Sequence, residues 1–328
     1  MNPSEPPYGR LGPDLILDAL ASQGWQGDGR LLALNSYENR VYQVWLEDSS
    51  ACVVKFYRPA RWTDAQILEE HAFTHELATE ELPVVAPLRV NGCSLHTFQG
   101  FRFAVYPRRG GRAPELDDPQ TLRWMGRFLG RLHAVGARCP FEVRPAISLA
   151  EFGTEPRDWL HTTGLIPEAL RAAWLAVIDQ CLDAVARAFE RVRGMRQLRL
   201  HGDCHRGNVL WTDDGPHFVD FDDARNGPAI QDLWMLLSGD AHAMGEQLGM
   251  LLEGYRSFMD FDRSELALIE PLRTLRLIHY SAWIGRRWGD PAFPAAFPWF
   301  GSERYWQDRI LELREQLGAM AEPPLSLP

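Results

Sequence analysis

The chain has 328 residues, more than most single hydrophobic cores accommodate, and this length favours two lobes. With 45% hydrophobic and 24% charged residues, it has the composition of a folded globular protein. Its net charge of −10 argues against bulk electrostatic binding to DNA or RNA, so we predict no nucleic-acid partner.

The first third of the chain has the pattern of a β-rich lobe. A short helix is predicted over residues 13–20, and Thr63 or Asp64 is the predicted cap of a second helix over residues 63–79. Strands are predicted over residues 29–34, 40–46, 51–57, 84–90 and 101–106. We therefore expect an N-terminal lobe over residues 1–106, built as a sheet with one inserted helix.

Residues 107–328 have a different, mainly helical character. They begin with a basic connection that contains Arg108, Arg109 and Arg112. Helical periodicity runs from residue 118 onward and over residues 169–193, 227–237, 243–258, 264–285 and 305–321. The predicted fold class is α+β and bilobal, with a small β-rich N-terminal lobe and a larger, mainly helical C-terminal lobe.

The sequence also favours a cytoplasmic protein. Its five cysteines are scattered without C-x-x-C spacing, which argues against a disulfide framework and against a zinc site. The first ten residues lack the basic and apolar regions of a signal peptide. No apolar run approaches the roughly 18 residues that cross a bilayer. We expect a monomer without a membrane partner.

Three polar residues around one hairpin have the chemistry of a phosphoryl-transfer site. Asp203 is a carboxylate that can orient a hydroxyl and accept its proton. Asn208 lies five residues later, at the start of an apolar strand, and its amide oxygen is a hard ligand suited to Mg²⁺. Asp220 follows the returning strand, so a hairpin brings it back beside Asn208, and its charge makes it the principal metal ligand and a catalytic residue.

A lysine in the N-terminal lobe supplies a cation for a nucleotide. Lys55 follows two valines on a predicted strand, the arrangement in which kinases contact the α- and β-phosphates of ATP. Its acidic partner is expected on the following helix, where Glu70 lies on the face predicted to pack on the sheet and Glu69 is the alternative. This makes residues 1–106 the predicted nucleotide-binding lobe and residues 107–328 the catalytic and acceptor-binding lobe.

Three further positions are interpreted one by one. Ser36 lies in the loop between the first two strands, which lacks a G-x-G-x-x-G motif, although its hydroxyl can still donate to phosphate. Asp232 opens an apolar helix and is expected to brace the catalytic loop rather than take part in the chemistry. Cys204 is expected to be a buried, inert thiol.

These residues carry a family resemblance. Residues 201–208 (HGDCHRGN) and 219–224 (VDFDDA) resemble the aminoglycoside phosphotransferase and choline kinase branch of the protein kinase-like fold. Within that branch the chain is most similar to the bacterial stress response kinase A family, through NSYENRVY, VKFYRP, ARNGPA and DPAFP at residues 35–42, 54–59, 224–229 and 290–294. The resemblance covers nearly the whole chain and implies the protein kinase-like fold.

The resemblance implies a serine/threonine protein kinase that uses ATP and Mg²⁺, phosphorylates itself and acts in the cytoplasm in envelope and oxidative stress. By matched position, Asp203 would be the catalytic base and Lys55 would contact the ATP phosphates. The two metal ligands would be Asn208 and Asp220. Ser36 would lie at the ATP site, and Tyr106 would fall where the family's hinge contacts adenine.

The chain departs from ordinary protein kinases in its regulatory motifs. Gly202 replaces the arginine of H-R-D, and Phe221-Asp222 replaces Phe-Gly after the metal-binding aspartate. No A-P-E-type activation segment is visible in the sequence. We therefore do not expect control by activation-loop phosphorylation.

Two alternatives remain open from the sequence. A small-molecule kinase of the aminoglycoside, choline or homoserine type would share the same catalytic stretch, because both classes phosphorylate a hydroxyl. A nucleotide-binding regulator without turnover is the other alternative, and the intact set of Asp203, Asn208 and Asp220 argues against it.

Overall fold

The computed structural model describes residues 6–327. Of these residues, 6–114 and 207–222 form one compact unit, called here the first unit, and 115–206 with 223–327 form the second unit. The hairpin segment that carries Asn208 and Asp220 thus groups with the N-terminal residues, although it lies far along the chain.

The strands are β1 (Gly27–Leu34), β2 (Arg40–Leu46), β3 (Ala51–Phe56), β4 (His96–Phe98), β5 (Phe101–Pro107), β6 (Leu198–Leu200), β7 (Val209–Thr212), β8 (Gly215–Phe218) and β9 (Arg225–Gly227). The α-helices are α1 (Pro13–Ala21), α2 (Asp64–Thr79), α3 (Pro119–Gly136), α4 (Glu155–Thr162), α5 (Glu168–Arg191), α6 (Ile230–Trp234), α7 (Ala241–Tyr255), α8 (Ile269–Arg286), α9 (Ala292–Ala296) and α10 (Glu303–Ala319). A short π-helix spans Ala150–Thr154, and short 3₁₀ helices span Arg206–Asn208, Phe221–Asp223 and Arg263–Leu268.

The first unit is a five-stranded antiparallel sheet in the order β1-β2-β3-β5-β4, with the separate hairpin β7-β8. Helix α1 packs Ile16 and Leu20 against Val54, Phe56 and other apolar side chains of the sheet. Helix α2 begins with a capping box made by Thr63 and Gln66, as the sequence predicts for Thr63. The predicted fold class is confirmed for this lobe, and so is the helix inserted after β3.

One predicted strand is wrong. Residues 84–90 form no ladder; Val84 and Val90 make only isolated bridges, to Phe218 and Cys93. The sheet instead gains the short strand β4 beside β5. Pro83 and Pro87 lie next to and within the predicted strand, and a proline has no N–H to donate to a ladder, which explains why apolar character alone did not produce a strand here.

The second unit is mainly helical, as predicted. Helices α5, α8 and α10 share an apolar core that includes Trp174, Ile278 and Trp306. The helix predicted over residues 227–237 is shorter than expected and begins only at Ile230, after Pro228 and the strand β9. Among residues 6–327, no helix combines the length and the apolar character needed to cross a bilayer.

Glycines let α3 and α7 approach unusually closely. A Cβ atom on Gly126 would lie 1.9 Å from the carbonyl oxygen of Leu251, and one on Gly254 would lie 2.0 Å from that of Arg123. Real Cβ atoms do not approach backbone so closely, so these helices can pack at this distance only with glycine at both positions.

We predict that Gly126→Ala destabilises the protein, because the new methyl group must push the backbone of α7 away. Overpacking of this kind typically costs about 1–3 kcal/mol. Urea unfolding should therefore show a lower midpoint than the wild type. Gly318→Ala in α10 is the matched control, since nothing lies within 4 Å of its added Cβ and alanine favours a helix by about 1 kcal/mol. Equal midpoints for Gly126→Ala and the wild type would contradict the packing argument.

Candidate functional site

The first unit contains a cavity of about 400 Å³, within the size range of small-molecule sites. It lies against β1, β2, β3 and β5 and against the hairpin β7-β8. Its lining includes the predicted site residues Ser36, Lys55, Glu70, Tyr106, Asn208 and Asp220. All six predicted residues of this unit therefore share one cavity.

Lys55 is the cation of this cavity. It lies on β3, opposite Ala104 of β5, and only 8% of its side chain is exposed. Its Nζ atom lies 3.1 Å from Oδ1 of Asp220 and 3.0 Å from Oδ1 of Asp222. Burial alone lowers the pKa of Lys55, but the two carboxylates outweigh it and hold the pKa well above its usual value. The ammonium group is therefore permanently charged.

Glu70 and Glu69 differ in their surroundings. Glu70 is buried on α2 and lines the cavity, and its charge adds to the rise in the pKa of Lys55. Glu69 is half-buried. The ion pairs of Lys55 go to the two aspartates, so the partnership of Lys55 with Glu70 stays a prediction.

The hairpin β7-β8 sets Asn208 and Asp220 at one end. The N–H of Val219 donates to the carbonyl oxygen of Asn208 at 3.0 Å, so the pairing continues beyond the two strands. Asp220 follows directly, and 54% of its side chain is exposed. Its φ angle of +60° is in the left-handed region, which costs a non-glycine residue about 1 kcal/mol or more. Such a cost is typical of a functional position.

Tyr106 is held by a chain of hydrogen bonds. Its hydroxyl lies 3.0 Å from that of Tyr57, which in turn lies 2.7 Å from Nε2 of His71, and Nδ1 of His71 lies 2.9 Å from Oγ of Ser94. Burial raises the pKa of Tyr106 far above its ordinary value, so the phenol stays protonated. The ring thus has a fixed position in the cavity; contact with adenine stays a prediction.

Sequence reasoning missed a buried ion-pair network behind Lys55. Arg61 Nη1 lies 2.6 Å from Oδ2 of Asp222 and 3.3 Å from Oε2 of Glu38. Arg58 Nε lies 2.9 Å from Oε1 of Glu38. Nearly buried charges need partners, and each of these has one. Glu38 and Arg58 stand within the family-like segments, but no local spacing signals a pair that joins Arg61 to Asp222.

The second unit carries Asp203 in the segment after β6. Its Oδ1 accepts a hydrogen bond of 2.7 Å from Nη1 of Arg276 on α8. Its Oδ2 lies 3.5 Å from Nε2 of His205. Both contacts were absent from the sequence-based predictions, and they place two basic side chains at the predicted base.

Asp232 braces the backbone next to Asp203. Its Oδ2 accepts from the N–H of His201 at 2.8 Å and lies 3.1 Å from Nε2 of His133, while its Oδ1 accepts from the N–H of Gly202 at 2.8 Å. The carboxyl group is fully buried. The supporting role predicted for Asp232 is confirmed.

The backbone of the same loop requires a glycine at position 202. Its φ angle is +83°, and an added Cβ atom would lie 2.1 Å from the carbonyl oxygen of Asp223. An arginine cannot occupy this position without moving the backbone. This explains why the chain departs here from the H-R-D pattern.

Cys204 follows Asp203 directly in the chain, but its side chain is inaccessible. The side chain is fully buried, and burial with the charges of Asp232 and Asp203 raises the pKa of its thiol well above the usual value. The thiolate is the nucleophilic form, and both the burial and the raised pKa disfavour it, as expected for an unreactive thiol.

Glu265 supports the start of α6, the helix that carries Asp232. It is buried, and its Oε2 accepts from the N–H of Ile230 at 2.9 Å. Burial raises the pKa of Glu265 from 4.5 to about 7, and the hydrogen bond from Ile230 only partly offsets this. The carboxyl therefore holds a proton more tightly in the folded state than in the unfolded one.

We predict a pH-dependent loss of stability through Glu265. Because the pKa of Glu265 is higher in the folded state, its protonated carboxyl stabilises the folded state fully below pH 4.5. This stabilisation is lost as the pH rises through 7. Relative to Glu265→Gln, the wild type should therefore lose up to about 3 kcal/mol of unfolding free energy between pH 4.5 and 8. Urea titrations of both proteins across this range measure the difference, and parallel pH profiles would contradict it.

Comparison with known proteins gives matches over the whole chain. The family model described as the phosphotransferase enzyme family (APH) matches residues 30–269. Stress response kinase A of Escherichia coli O157:H7 is 51% identical over 327 residues, which is 100% of this chain and 99% of that protein. Serine/threonine protein kinase RdoA of Salmonella typhimurium is 50% identical with the same coverage.

Solved structures share the fold at low identity. An amicoumacin kinase has a TM-score of 0.71 and 19% identity, with 95% of this chain and 94% of that chain covered. A choline kinase from Cryptosporidium parvum has a TM-score of 0.62 and 14% identity, with 94% and 96% covered. Together with the family model and the relatives, these matches confirm the resemblance and the fold class predicted from the sequence.

Proposed function

The chain belongs to the phosphotransferase enzyme family, and from its site we propose that it transfers the γ-phosphoryl group of ATP to serine or threonine hydroxyls of proteins, itself included, with Mg²⁺. The observation that carries the proposal is the cavity in which the charged Lys55 lies 3.1 Å from Asp220, with Asn208 also in the lining. A cation and two hard oxygen ligands in one cavity suit a nucleoside triphosphate with its metal ion.

The residues present fit Mg²⁺. Sites for this ion commonly offer one or two carboxylates and leave the remaining positions to phosphate oxygens and water. Asp220, half exposed in the cavity, and the amide of Asn208 supply such a set. Within the described residues no cluster of three or more histidine, cysteine or acidic side chains offers a dedicated metal cage, which agrees with an ion brought by the nucleotide. When bound, Mg²⁺ would neutralise charge on the β- and γ-phosphates.

The chain's own residues supply the other roles. Lys55, held by Asp220 and Asp222, would bind phosphate oxygens, and Ser36 would donate to the nucleotide from the β1-β2 loop. Asp203 would orient the acceptor hydroxyl and take its proton as the new P–O bond forms. Asp232 would keep the Asp203 loop in place through its bonds to His201 and Gly202.

The acceptor class is supported by the relatives rather than by the cavity. Full-length relatives at about half identity are named stress response kinase A and serine/threonine protein kinase, which supports a protein acceptor and a role in a stress response. The link to envelope and oxidative stress stays a prediction from the family resemblance. Free cysteines at all five positions are consistent with a reducing compartment, and we propose a cytoplasmic monomer.

We predict that Asp203→Asn slows phosphoryl transfer by about 10²–10⁴-fold, the usual contribution of a general base, while Mg²⁺-ATP still binds. Single-turnover transfer and calorimetric nucleotide binding separate the two effects. Asp260→Asn, at an exposed position of the second unit, is the control for loss of one negative charge. Near-normal transfer by Asp203→Asn would overturn the assignment of the base.

We predict that Asp220→Asn loses the Mg²⁺-dependent part of nucleotide binding, because the charged ligand is removed. Titration calorimetry with and without Mg²⁺ measures this loss. Asp214→Asn in the exposed turn of the same hairpin is the matched control and should bind as the wild type does. An unchanged affinity of Asp220→Asn for Mg²⁺-ATP would sink the metal assignment.

The acceptor is tested with labelled ATP given alone, with a generic protein acceptor, and with a panel of small alcohols that includes choline, homoserine and an aminoglycoside. Label on the chain itself and on the protein acceptor is the expected result. Label on a small molecule only would replace the proposal with a small-molecule kinase. Nucleotide binding without label on any acceptor would indicate a regulator without turnover.

A further inference from the structure

A basic side chain contacts the proposed catalytic carboxylate. Arg276 donates to Oδ1 of Asp203 at 2.7 Å, and 46% of its side chain is exposed. A pair this exposed contributes little to stability, so the fold does not depend on it. His205 lies 3.5 Å from the other oxygen, and Arg206 is exposed just beyond. The guanidinium group of Arg276 therefore places positive charge at the carboxylate that an acceptor must reach.

Aromatic side chains extend this surface along α8. Arg276, Tyr280, Trp283 and Arg287 follow one another at spacings of four, three and four residues, and so lie on one face at the helix and its C-terminal cap. We call these four residues the α8 stripe. Tyr280 and Trp283 are stacked, with ring centroids 5.7 Å apart, and the Arg287 guanidinium lies 5.3 Å from the Trp283 ring.

The charge of the stripe decides which acceptors fit. Aromatic faces attract cations, but in the stripe Tyr280 and Trp283 cover each other and Trp283 also has Arg287 over its ring. A cationic amino alcohol or aminoglycoside would have to approach Asp203 against Arg276. An acceptor with a carboxylate beside its hydroxyl would be attracted instead. The chain as a whole is acidic, with a net charge of −10, so this local sign is not a consequence of composition.

Arg276 can serve both partners. A guanidinium has five N–H donors in a fixed fork, so it can keep its bond to Asp203 and bind an acceptor carboxylate with the others. Tyr280 and Trp299 both contact the Phe297 ring, and the parts of these two rings that stay exposed offer contact for an apolar or aromatic side chain of the same acceptor. A carboxylate contact together with an apolar contact fits a peptide better than a small cation.

We propose that the α8 stripe selects serine or threonine residues in acidic protein segments, with Arg276 as the residue that determines this preference. The inference rests on the proposed protein kinase function and names its acceptor class. In the step itself the acceptor oxygen forms a bond to the γ-phosphorus, the bond from that phosphorus to the β–γ bridging oxygen breaks, ADP leaves, and the hydroxyl proton passes to Asp203.

The test compares two serine peptides of equal length that differ only in flanking residues, glutamates in one and lysines in the other. For the wild type we expect kcat/KM to favour the acidic peptide by about tenfold or more, where tenfold corresponds to about 1.4 kcal/mol. Arg276→Gln should reduce this preference to about threefold or less, and Arg276→Glu should reverse it. Arg276→Lys keeps the charge and should retain most of the preference. Added salt should weaken it.

Arg286→Gln is the matched control. Arg286 is exposed on the same helix, but it lies over Trp159 and is not part of the stripe. It should keep the wild-type preference. Mg²⁺-ATP binding and the thermal midpoint, measured for every variant, show whether an effect is confined to the acceptor.

The failure of this inference and the failure of the proposed function are distinguishable. If the wild type phosphorylates both peptides equally, or Arg276→Gln keeps the full preference, the protein kinase function stands and the acidic-acceptor inference is overturned. If the wild type labels neither peptide and no protein but labels a small alcohol, the proposed function itself fails.

Discussion

A buried lysine ammonium loses its water shell, and the protein must supply polar or charged partners in its place. Lys55 imposes this requirement on the first unit. Asp220 and Asp222 satisfy it, and Asp222 is itself buried and needs Arg61. Arg61 reaches Glu38, which lies in the same loop as Ser36. A buried cation on one strand thus determines where two carboxylates and a loop must lie. The left-handed backbone of Asp220 is tolerated because its neighbours hold it there.

A second requirement orders the unit that carries Asp203. The carboxyl group of Asp232 is fully buried and has two backbone N–H groups and His133 as partners. His133 comes from α3, a helix whose glycines meet the backbone of α7 on one side and of β6 on the other. The close packing of these helices and the position of the loop that carries Asp203 therefore depend on the same glycines of α3.

Much of this could be predicted from the sequence because it depends on local pattern. The hairpin after Asn208, the strand with Lys55 and the cap at Thr63 are short-range features, and they were found where expected. The strand predicted over residues 84–90 is absent, because that prediction used only the apolar pattern. The pattern takes no account of Pro83 and Pro87, which have no N–H to donate to a ladder. The contacts of Arg61 with Asp222 and of Arg276 with Asp203 join residues far apart in the chain, and spacing carries no signal for such pairs.

The first unit is assembled from two separate chain segments, and this has a consequence for folding during synthesis. Residues 207–222 belong to this unit and carry its β7-β8 hairpin, so the cavity cannot be completed until the ribosome has synthesised residue 222 of 328. Until then Lys55 on β3 lacks both carboxylates that pair with it in the complete structure. A fragment that ends at residue 114 would stay in this unfinished state, because it lacks the carboxylates that compensate Lys55. Folding of the two units is therefore interleaved along the chain rather than sequential from the N-terminus.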